Sequence, residues 1–404
     1  MPASPSASRF RPVLFWTHLA CGVIAGLVIG LLCFTGATLA FENELVAWSE
    51  RDARRIVPPA DAKPLSVEEL SRKVRAAQPD ARPSAIVVSA DLRDAVAFQL
   101  GRDSALYVNP YTGEIRSPAS TRMRAFLQRM EELHRWLALG DDSRAVGKAV
   151  TGACNLAFFI LASSGLYLWM PRGWSWRSVK AIALFNWRLT GKARDFNWHN
   201  TIGLWSAPIL IVLTLTAVPM SYRWGANLIY QIAGEPAPTQ PQSGPAAVEV
   251  PKPEPGRRPL GYDSLLASAQ AQFPRWELIT LRLGGGQRGA GAATGPAVNI
   301  TVKESGSWPR TATTNLWFNP YTGDILKREG YAELPTSRQI RSWTRFLHTG
   351  QALGGIGQLA AGLACLGGCV LVYTGLALAW RRFFGRSTGT PLAPKNSQPL
   401  ETVS

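Results

Sequence analysis

Four long stretches of the sequence consist almost entirely of apolar residues, and polar segments separate them. They cover residues 13–41, 146–170, 199–222 and 355–380. Each is long enough to cross the apolar core of a bilayer, which takes about 20 helical residues. The first is longer than the apolar part of a signal peptide, and Glu42 follows it instead of a small-residue cleavage site. The pattern predicts a bundle of four membrane-spanning helices.

The two long polar segments, residues 42–145 and 223–354, show patterns typical of small α+β domains. In the first segment Ser66 and Glu69 form a helix-start signal, and we expect that helix to end near Ala77. Runs typical of strands and then an amphipathic helix follow, at 85–89, 95–100, 105–108 and 121–139. In the second segment a Pro-rich insertion, 234–259, predicts disorder, and a glycine-rich patch, 284–296, predicts a loop.

Several motifs recur in the same order in the two halves of the chain. The turn sequence Asn-Pro-Tyr-Thr-Gly occurs at 109–113 and at 319–323. The motif His-x3-Gly opens the first and third spans, and Leu-His precedes the second and fourth. This ordered set predicts an internal duplication of about residues 8–172 and 190–383. The expected fold is a four-span membrane α-helical bundle with a two-fold internal repeat and two small α+β domains outside the membrane.

Charge sets the expected orientation of this bundle. The net charge is +16, and basic residues flank the spans: the short loop 171–198 is rich in Arg and Lys, and Arg381 and Arg382 end the last span. Short basic loops stay in the cytoplasm, so residues 1–12, 171–198 and 381–404 should face inward. We therefore expect 42–145 and 223–354 to face outward. Nucleic acid is an unlikely partner because the cations do not cluster on one soluble domain.

The four histidines, His18, His134, His199 and His348, each lie at or just before a span. Because each half contains two spans, both copies insert with the same orientation, and equivalent residues lie at equal depth across the bundle. His18 should face His199 and His134 should face His348, with about 30 Å of membrane between the pairs. Glycines one turn away would leave room for a flat cofactor. Iron porphyrin with two axial imidazoles fits such a site, and two stacked sites form an electron path.

Other readings of these residues remain open. The histidines can be interface anchors or packing residues, a proton relay, or zinc or copper ligands, although two histidines leave such a metal incompletely coordinated. Met170 and Met220 are possible axial ligands, but packing is the simpler role. The five cysteines all fall inside spans, so a disulfide framework is not expected, and the sequence has no C-x-x-C-H motif for covalent haem.

The strand module ending in Asn-Pro-Tyr-Thr-Gly-Glu, the His-x3-Gly span start and the Ser-Gly-Leu-Tyr-Leu-Trp run at 164–169 resemble the PepSY-associated transmembrane family. The resemblance covers most of both halves. It implies a bacterial inner-membrane protein with periplasmic PepSY-like domains at 42–145 and 223–354, and for some members a ferric-siderophore reductase. It also implies haem b, two per chain, with axial ligands at the four residues His18, His134, His199 and His348.

With that resemblance, the expected function is reduction of ferric siderophore iron in the periplasm by electrons from the cytoplasmic side. No G-x-G-x-x-G fingerprint is present, so the donor should be a membrane quinol or a separate cytoplasmic reductase. Arg135, Trp136 and Trp343 are candidate contacts for a propionate or the substrate. The alternative is a non-redox PepSY membrane module that binds or regulates a periplasmic partner. A transporter is disfavoured because few polar groups fall within the spans.

Overall fold

The computed structural model describes residues 7–61, 63–101, 104–119, 121–171, 175–238, 248–251, 253–254, 256–283 and 297–385. The glycine-rich patch expected at 284–296 lies outside these residues, as do part of the Pro-rich insertion and the tail after residue 385.

Helices account for most of the described chain. In order they are α1 (Ala7–Leu39), α2 (Glu42–Ser49), α3 (Arg51–Arg54), α4 (Val67–Ala77), α5 (Arg122–Trp136), α6 (Arg144–Trp169), α7 (Trp176–Ala183), α8 (Gly191–Ser221), α9 (Arg223–Ile232), α10 (Tyr262–Gln272), α11 (Thr336–His348) and α12 (Gly354–Phe384). Within the described residues, four helical stretches are long and apolar enough to cross a membrane, and they contain α1, α6, α8 and α12. The protein is therefore a membrane helical protein, as the apolar pattern predicts.

These four helices form a bundle in which each contacts two neighbours. Helix α1 packs against α6 and α12, and α8 packs against the same two helices. Glycines allow close approach: a Cβ added at Gly368 would lie 2.5 Å from Cys33 Sγ on α1, and one at Gly367 would lie 3.0 Å from Ile202 on α8. Small residues are typical of membrane helix contacts, where packing rather than water exclusion drives association. The contacts place α1 and α8 on one diagonal of the bundle.

Helix α8 begins at Gly191, earlier than the span start expected at residue 199. The added turns contain buried polar residues whose hydrogen bonds are satisfied by the preceding loop. The Asn197 side chain accepts from the Asn186 backbone N–H at 2.9 Å and donates to the carbonyls of Ala181 and Leu184. An apolar-run criterion misses such turns because their side chains are polar, although they are buried.

A single antiparallel sheet contains all the strands of the described chain. The strands are β1 (Ala85–Ser89), β2 (Val96–Gln99), β3 (Ala105–Val108), β4 (Ile115–Arg116), β5 (Trp276–Arg282), β6 (Val298–Glu304), β7 (Thr314–Phe318) and β8 (Ile325–Glu329). Their order is β4-β3-β2-β1-β5-β6-β7-β8, so two four-stranded meanders meet at β1 and β5. The sequence predicts one small α+β domain in each of the two polar segments. Five pairs of residues along β1 and β5 join the strands of the two segments into one sheet.

The packing of α4 and α10 explains why the two meanders join. Both helices cover the same face of the sheet, and their apolar residues share one core with strands from both halves. The helix starts also cap each other: Asp263 accepts from the N–H groups of Val67 and Glu68, and Glu68 accepts from Tyr262 N–H at 2.9 Å. Buried N-terminal N–H groups need such acceptors. The N–H groups at each helix start therefore need an acceptor from the other half of the chain.

The local predictions in the first polar segment are confirmed. Helix α4 runs from Val67 to Ala77, and the Ser66 side chain accepts from Glu69 N–H. The two Asn-Pro-Tyr-Thr-Gly turns contain Gly113 and Gly323, with φ of 73° and 78°. Such positive φ values are readily adopted by glycine.

Candidate functional site

The four histidines form two pairs inside the bundle. The ring centres of His18 and His199 are 6.4 Å apart, and those of His134 and His348 are 6.2 Å apart. We call the first the loop-side pair, because it lies near the loop between α6 and α8. The second is the sheet-side pair, because its residues lie on α5 and α11, which follow the last strand of each meander. The predicted pairing is therefore present, while the role of these residues as ligands stays a prediction.

Each ring of the loop-side pair is held by a hydroxyl on a neighbouring helix. His18 Nδ1 lies 2.9 Å from Ser164 Oγ, and His199 Nδ1 lies 2.9 Å from Thr374 Oγ1. Each hydroxyl donates its own hydrogen to a carbonyl one turn earlier in its helix. The hydroxyl oxygen must therefore accept from the imidazole, so Nδ1 is the protonated nitrogen.

The sheet-side pair uses the same arrangement with one difference. His134 Nδ1 lies 2.8 Å from Thr35 Oγ1, whose hydrogen is donated to Leu31 O at 2.7 Å. His348 Nδ1 instead donates to the backbone carbonyl of Leu213 at 2.9 Å, with Thr216 Oγ1 more distant at 3.5 Å. A carbonyl only accepts, so this ring is also protonated at Nδ1.

These hydrogen bonds leave Nε2 of all four imidazoles as the nitrogen with a free lone pair. A hydrogen bond from the other ring nitrogen is the usual way in which proteins fix the tautomer and orientation of a metal-binding histidine. Each imidazole can therefore donate the lone pair of Nε2 to a metal, and each is held by a hydrogen bond to a helix other than its own.

Small residues lie directly against the rings. A Cβ added at Gly165 would lie 3.2 Å from His18 Cε1, one at Gly375 3.3 Å from His199 Cε1, and one at Gly36 3.4 Å from His134 Cε1. The glycines of the His-x3-Gly motifs do not lie against the rings, and their role in leaving room for a flat cofactor stays a prediction. A Cβ at Gly22 or Gly203 would meet a leucine at 3.7 Å instead.

The hydroxyl side chains beside the rings were missed by the sequence analysis, although they carry a signal. A hydroxyl residue followed by a small residue occurs in each of the four long helices. The four dipeptides are Thr35-Gly36, Ser164-Gly165, Thr216-Ala217 and Thr374-Gly375. Their recurrence at matched positions of the two halves could have identified them.

The spacing of the rings fits one metal ion between each pair. With a metal–nitrogen distance of about 2 Å and a ring centre roughly 1.2 Å behind the nitrogen, two imidazoles on opposite sides of one metal place their ring centres about 6.4 Å apart. The observed separations of 6.4 Å and 6.2 Å match that value. Among the described residues, no group of three or more His, Cys, Asp or Glu side chains could hold a metal ion. Two-histidine axial ligation of a haem needs no such third side chain.

A buried ion pair connects α5, which carries His134, to the polar part of the protein. Glu50 is 1 % exposed and accepts hydrogen bonds from the Arg124 guanidinium and from Tyr107 Oη at 2.6 Å. Burial raises the pKa of the Glu50 carboxyl, but the hydrogen bonds from Arg124 and Tyr107 outweigh it and hold that pKa below its usual range. Burial and the bond to Glu50 raise the pKa of Tyr107 to about 12.

Helix α11, which carries His348, has a comparable but more exposed attachment. Glu235 accepts from Ser337 Oγ at 2.5 Å and from Ser337 N–H at 3.3 Å, near the helix start. These hydrogen bonds from Ser337 lower the pKa of the Glu235 carboxyl. Arg341 donates to Tyr230 Oη at 2.8 Å, which ties the same helix to α9.

The remaining candidates lie outside the two pairs. Arg135 forms an ion pair with Glu131 at 2.7 Å, Trp136 is buried beneath Arg144, and Trp343 contacts Trp308. Met170 and Met220 are about half exposed, at 46 % and 51 %. All five cysteines are free thiols.

The sequence matches a known protein family. The family described as the PepSY-associated TM region matches residues 15–382, a range that includes both histidine pairs and the whole sheet. No curated protein matches the chain. Since the match extends over nearly the whole length, the chain belongs to the PepSY-associated TM region family.

Proposed function

We propose that the protein is an inner-membrane oxidoreductase that carries two b-type haems and reduces ferric siderophore iron in the periplasm. The loop-side pair would hold one haem and the sheet-side pair the other. The observation that carries the proposal is the state of the four imidazoles. Each has Nδ1 committed to a partner on another helix, and each pair has the ring separation of two ligands on one metal.

The two halves of the sheet and of the bundle support an internal duplication. Two meanders with the same strand order meet at their first strands, and each pair takes one histidine from each half. On this proposal each meander with its helix is a PepSY-like domain. The termini and the loop 171–198 would face the cytoplasm because they carry the basic residues that flank the spans.

The histidines, the hydroxyl residues and the apolar helices would have different roles. A bound haem supplies one-electron transfer at an iron with two histidine ligands. The imidazoles fix the position of each ring system, and the hydroxyls of Ser164, Thr374 and Thr35 fix the imidazoles. The apolar helices keep water away from the path between the two sites. Both histidines of each pair would hold the haem, so the chain would offer no position for substrate to bind at that site.

The redox step itself is simple. One electron per iron converts the Fe(III) chelate to Fe(II), for which hard oxygen ligands have lower affinity, and iron is released without destruction of the carrier. The electron would come from a membrane quinol or a separate cytoplasmic reductase, and it would pass first to the loop-side site.

The test is a dithionite-reduced minus oxidised visible spectrum of the purified protein, with haem counted per chain. We expect two low-spin b-type haems, and one in His199→Ala or His348→Ala. Met220→Leu and Met170→Leu are matched controls and should keep both. Protein made in cells supplied with iron and a haem precursor but purified without haem would refute the proposal and favour a non-redox binding module.

A second measurement tests the direction of electron flow. The protein is placed in vesicles with reductant sealed inside and a ferric siderophore outside, and Fe(II) is trapped by a coloured chelator. We expect Fe(II) to appear with the intact protein and not with His199→Ala. Equal rates for both would contradict a path through the loop-side pair.

A further inference from the structure

Helix α7, in the loop between α6 and α8, is fixed to the outside of the bundle by its C-terminal end. The last carbonyl groups of a helix have no partner within it, and here side chains of α6 and α8 supply the partners. The donors are Trp169, Asn197, Thr201 and Trp205, and the acceptors are the carbonyls of Ala181, Ile182, Ala183 and Leu184. Trp205 belongs to a membrane-spanning helix and is 66 % exposed, so α7 lies where the bundle meets lipid.

The outer surface of α7 and of the residues that follow it is apolar. Trp176 is 79 % exposed and Trp187 is 76 % exposed, and Leu184 and Phe185 are exposed as well. The rings of Phe185 and Trp187 stack with their centres 5.5 Å apart. A surface in contact with water seldom presents so many large apolar side chains together. Tryptophan is instead typical of the boundary between a membrane and water.

The charges of this segment are all positive. The sequence has no Asp or Glu between residues 143 and 194. Arg177 and Lys180 on α7, and Arg188 after it, are exposed, and within the described part of the chain their side chains form no hydrogen bond or ion pair. The nearest acidic residue in the sequence, Asp195, is 1 % exposed and already ion-paired. The three cations therefore need an anion from outside the chain.

Exposed aromatic rings beside unpaired cations, at the edge of a membrane bundle, suit one kind of partner. An anionic phospholipid offers acyl chains to the rings and a phosphate to the cations. A free phosphate ion would satisfy the cations but would leave the apolar rings in water. A short helix of this composition lies in the plane of the membrane surface and binds through both effects.

We propose that residues 176–188 form a binding surface for anionic phospholipid. Arg177 and Lys180 bind the phosphate groups, and Trp176 and Trp187 lie among the upper carbons of the acyl chains. Each cation close to an anionic membrane surface raises the affinity about fivefold. The inference goes beyond the proposed redox function and does not depend on haem.

Bound lipid would also restrain the start of α8. The Asn197 side chain bonds the end of α7 and lies two residues before His199. We therefore expect the backbone amides of residues 191–199 to exchange hydrogen more slowly in nanodiscs of phosphatidylglycerol than in nanodiscs of phosphatidylcholine. Equal exchange in the two lipids would contradict a selective contact at α7.

The main test counts lipids bound to the full chain by native mass spectrometry. The variant is Arg177→Gln with Lys180→Gln. The matched control is Arg72→Gln with Arg82→Gln, which removes the same charge from exposed positions of the sheet domain. We expect the first variant to bind phosphatidylglycerol about 25-fold more weakly, with phosphatidylcholine unaffected, and the control to bind both as the parent does. Equal loss in both variants, or displacement of phosphatidylglycerol by inorganic phosphate, would overturn the inference.

A second test locates the aromatic side of the surface. The fluorescence that Trp176→Phe removes is the emission of Trp176, measured in nanodiscs as the difference from the parent. We expect this emission to be quenched by phosphatidylglycerol brominated on its acyl chains and protected from iodide in the buffer. The opposite pattern would place Trp176 in water and would overturn the inference.

Discussion

The two histidine pairs differ in what supports them. His18 and His199 lie within the long helices α1 and α8, and their partners Ser164 and Thr374 lie on long helices as well. His134 and His348 lie on α5 and α11, whose positions also depend on polar contacts near the sheet. The loop-side pair therefore depends on the long helices and on the segment before α8 that binds Asn197. The sheet-side pair also depends on the sheet domain, which would meet substrate under the proposed function. A structural change in that domain can therefore alter the positions of the two histidines.

The largest effect should come from the buried ion pair that attaches α5. Glu50→Gln removes a charge that Arg124 and Tyr107 are arranged to bind, and breaking such a pair costs about 3 kcal/mol of unfolding free energy. We expect haem to be lost from the sheet-side pair and retained at the loop-side pair. Denaturant unfolding and the haem count measure both.

The control for that variant is Glu132→Gln. Glu132 is also on α5, but its ion pair with Arg129 is exposed, and such pairs contribute little. An equal loss of haem from the loop-side and sheet-side pairs in Glu50→Gln would contradict the claim that only the sheet-side pair depends on the attachment of α5.

Low pH should also affect the sheet-side pair more than the loop-side pair. The pKa of Glu50 is lowered in the folded protein, so its contribution to stability is fully present above its unfolded pKa of about 4.3 and is lost as pH falls through the lower folded pKa. We expect sheet-side haem to dissociate before loop-side haem on titration below about pH 4.3. Release of the loop-side haem first, or of both haems together, would mean that another group controls the difference.

Removal of single hydroxyls gives a smaller effect that differs within one pair. Thr35→Val takes away the acceptor 2.8 Å from His134, and loss of such a partner lowers metal affinity about tenfold or more. Thr216→Val should change little, because His348 Nδ1 donates to Leu213 O and Thr216 is 3.5 Å away. Haem transfer rates measure both variants, and equal losses would show that the hydroxyl, not the carbonyl, fixes His348.

The smallest effect is expected at the glycines. Gly165→Ala places a methyl group 3.2 Å from His18, so the ring must move by a few tenths of an ångström and the reduction potential should shift. Gly22→Ala meets Leu161 at 3.7 Å, an ordinary contact, and should leave the potential unchanged. Potentiometric titration distinguishes the two. An equal shift in both would contradict the close contact at Gly165.

Much of this architecture is readable from the sequence because its signals are local. The spans follow from apolar length, and α4 from the capping residues Ser66 and Glu69. The pairing of His18 with His199 follows from the order of repeated motifs. Each of these depends on residues within one element or on a match between two.

What the sequence does not reveal depends on contacts between distant elements. The acceptor of His348 is a backbone carbonyl, which has no residue signature. The hydrogen bond between Tyr107 and Glu50 joins a strand to the residue between α2 and α3, and the sequence does not show which of many polar side chains Tyr107 contacts. The union of β1 with β5 depends on the pairing of two strand edges that are far apart in the sequence.

The β1–β5 pairing has a consequence for the fate of incomplete chains. Within the described residues these two strands lie at the centre of the sheet, and only β4 and β8 are edges. A truncated chain that ends before β5 would expose the full backbone edge of β1, and unpaired edges recruit other strands. Such a fragment should therefore associate through β1 with a second copy or aggregate. The strands of the second half are therefore what covers the exposed edge of the first half.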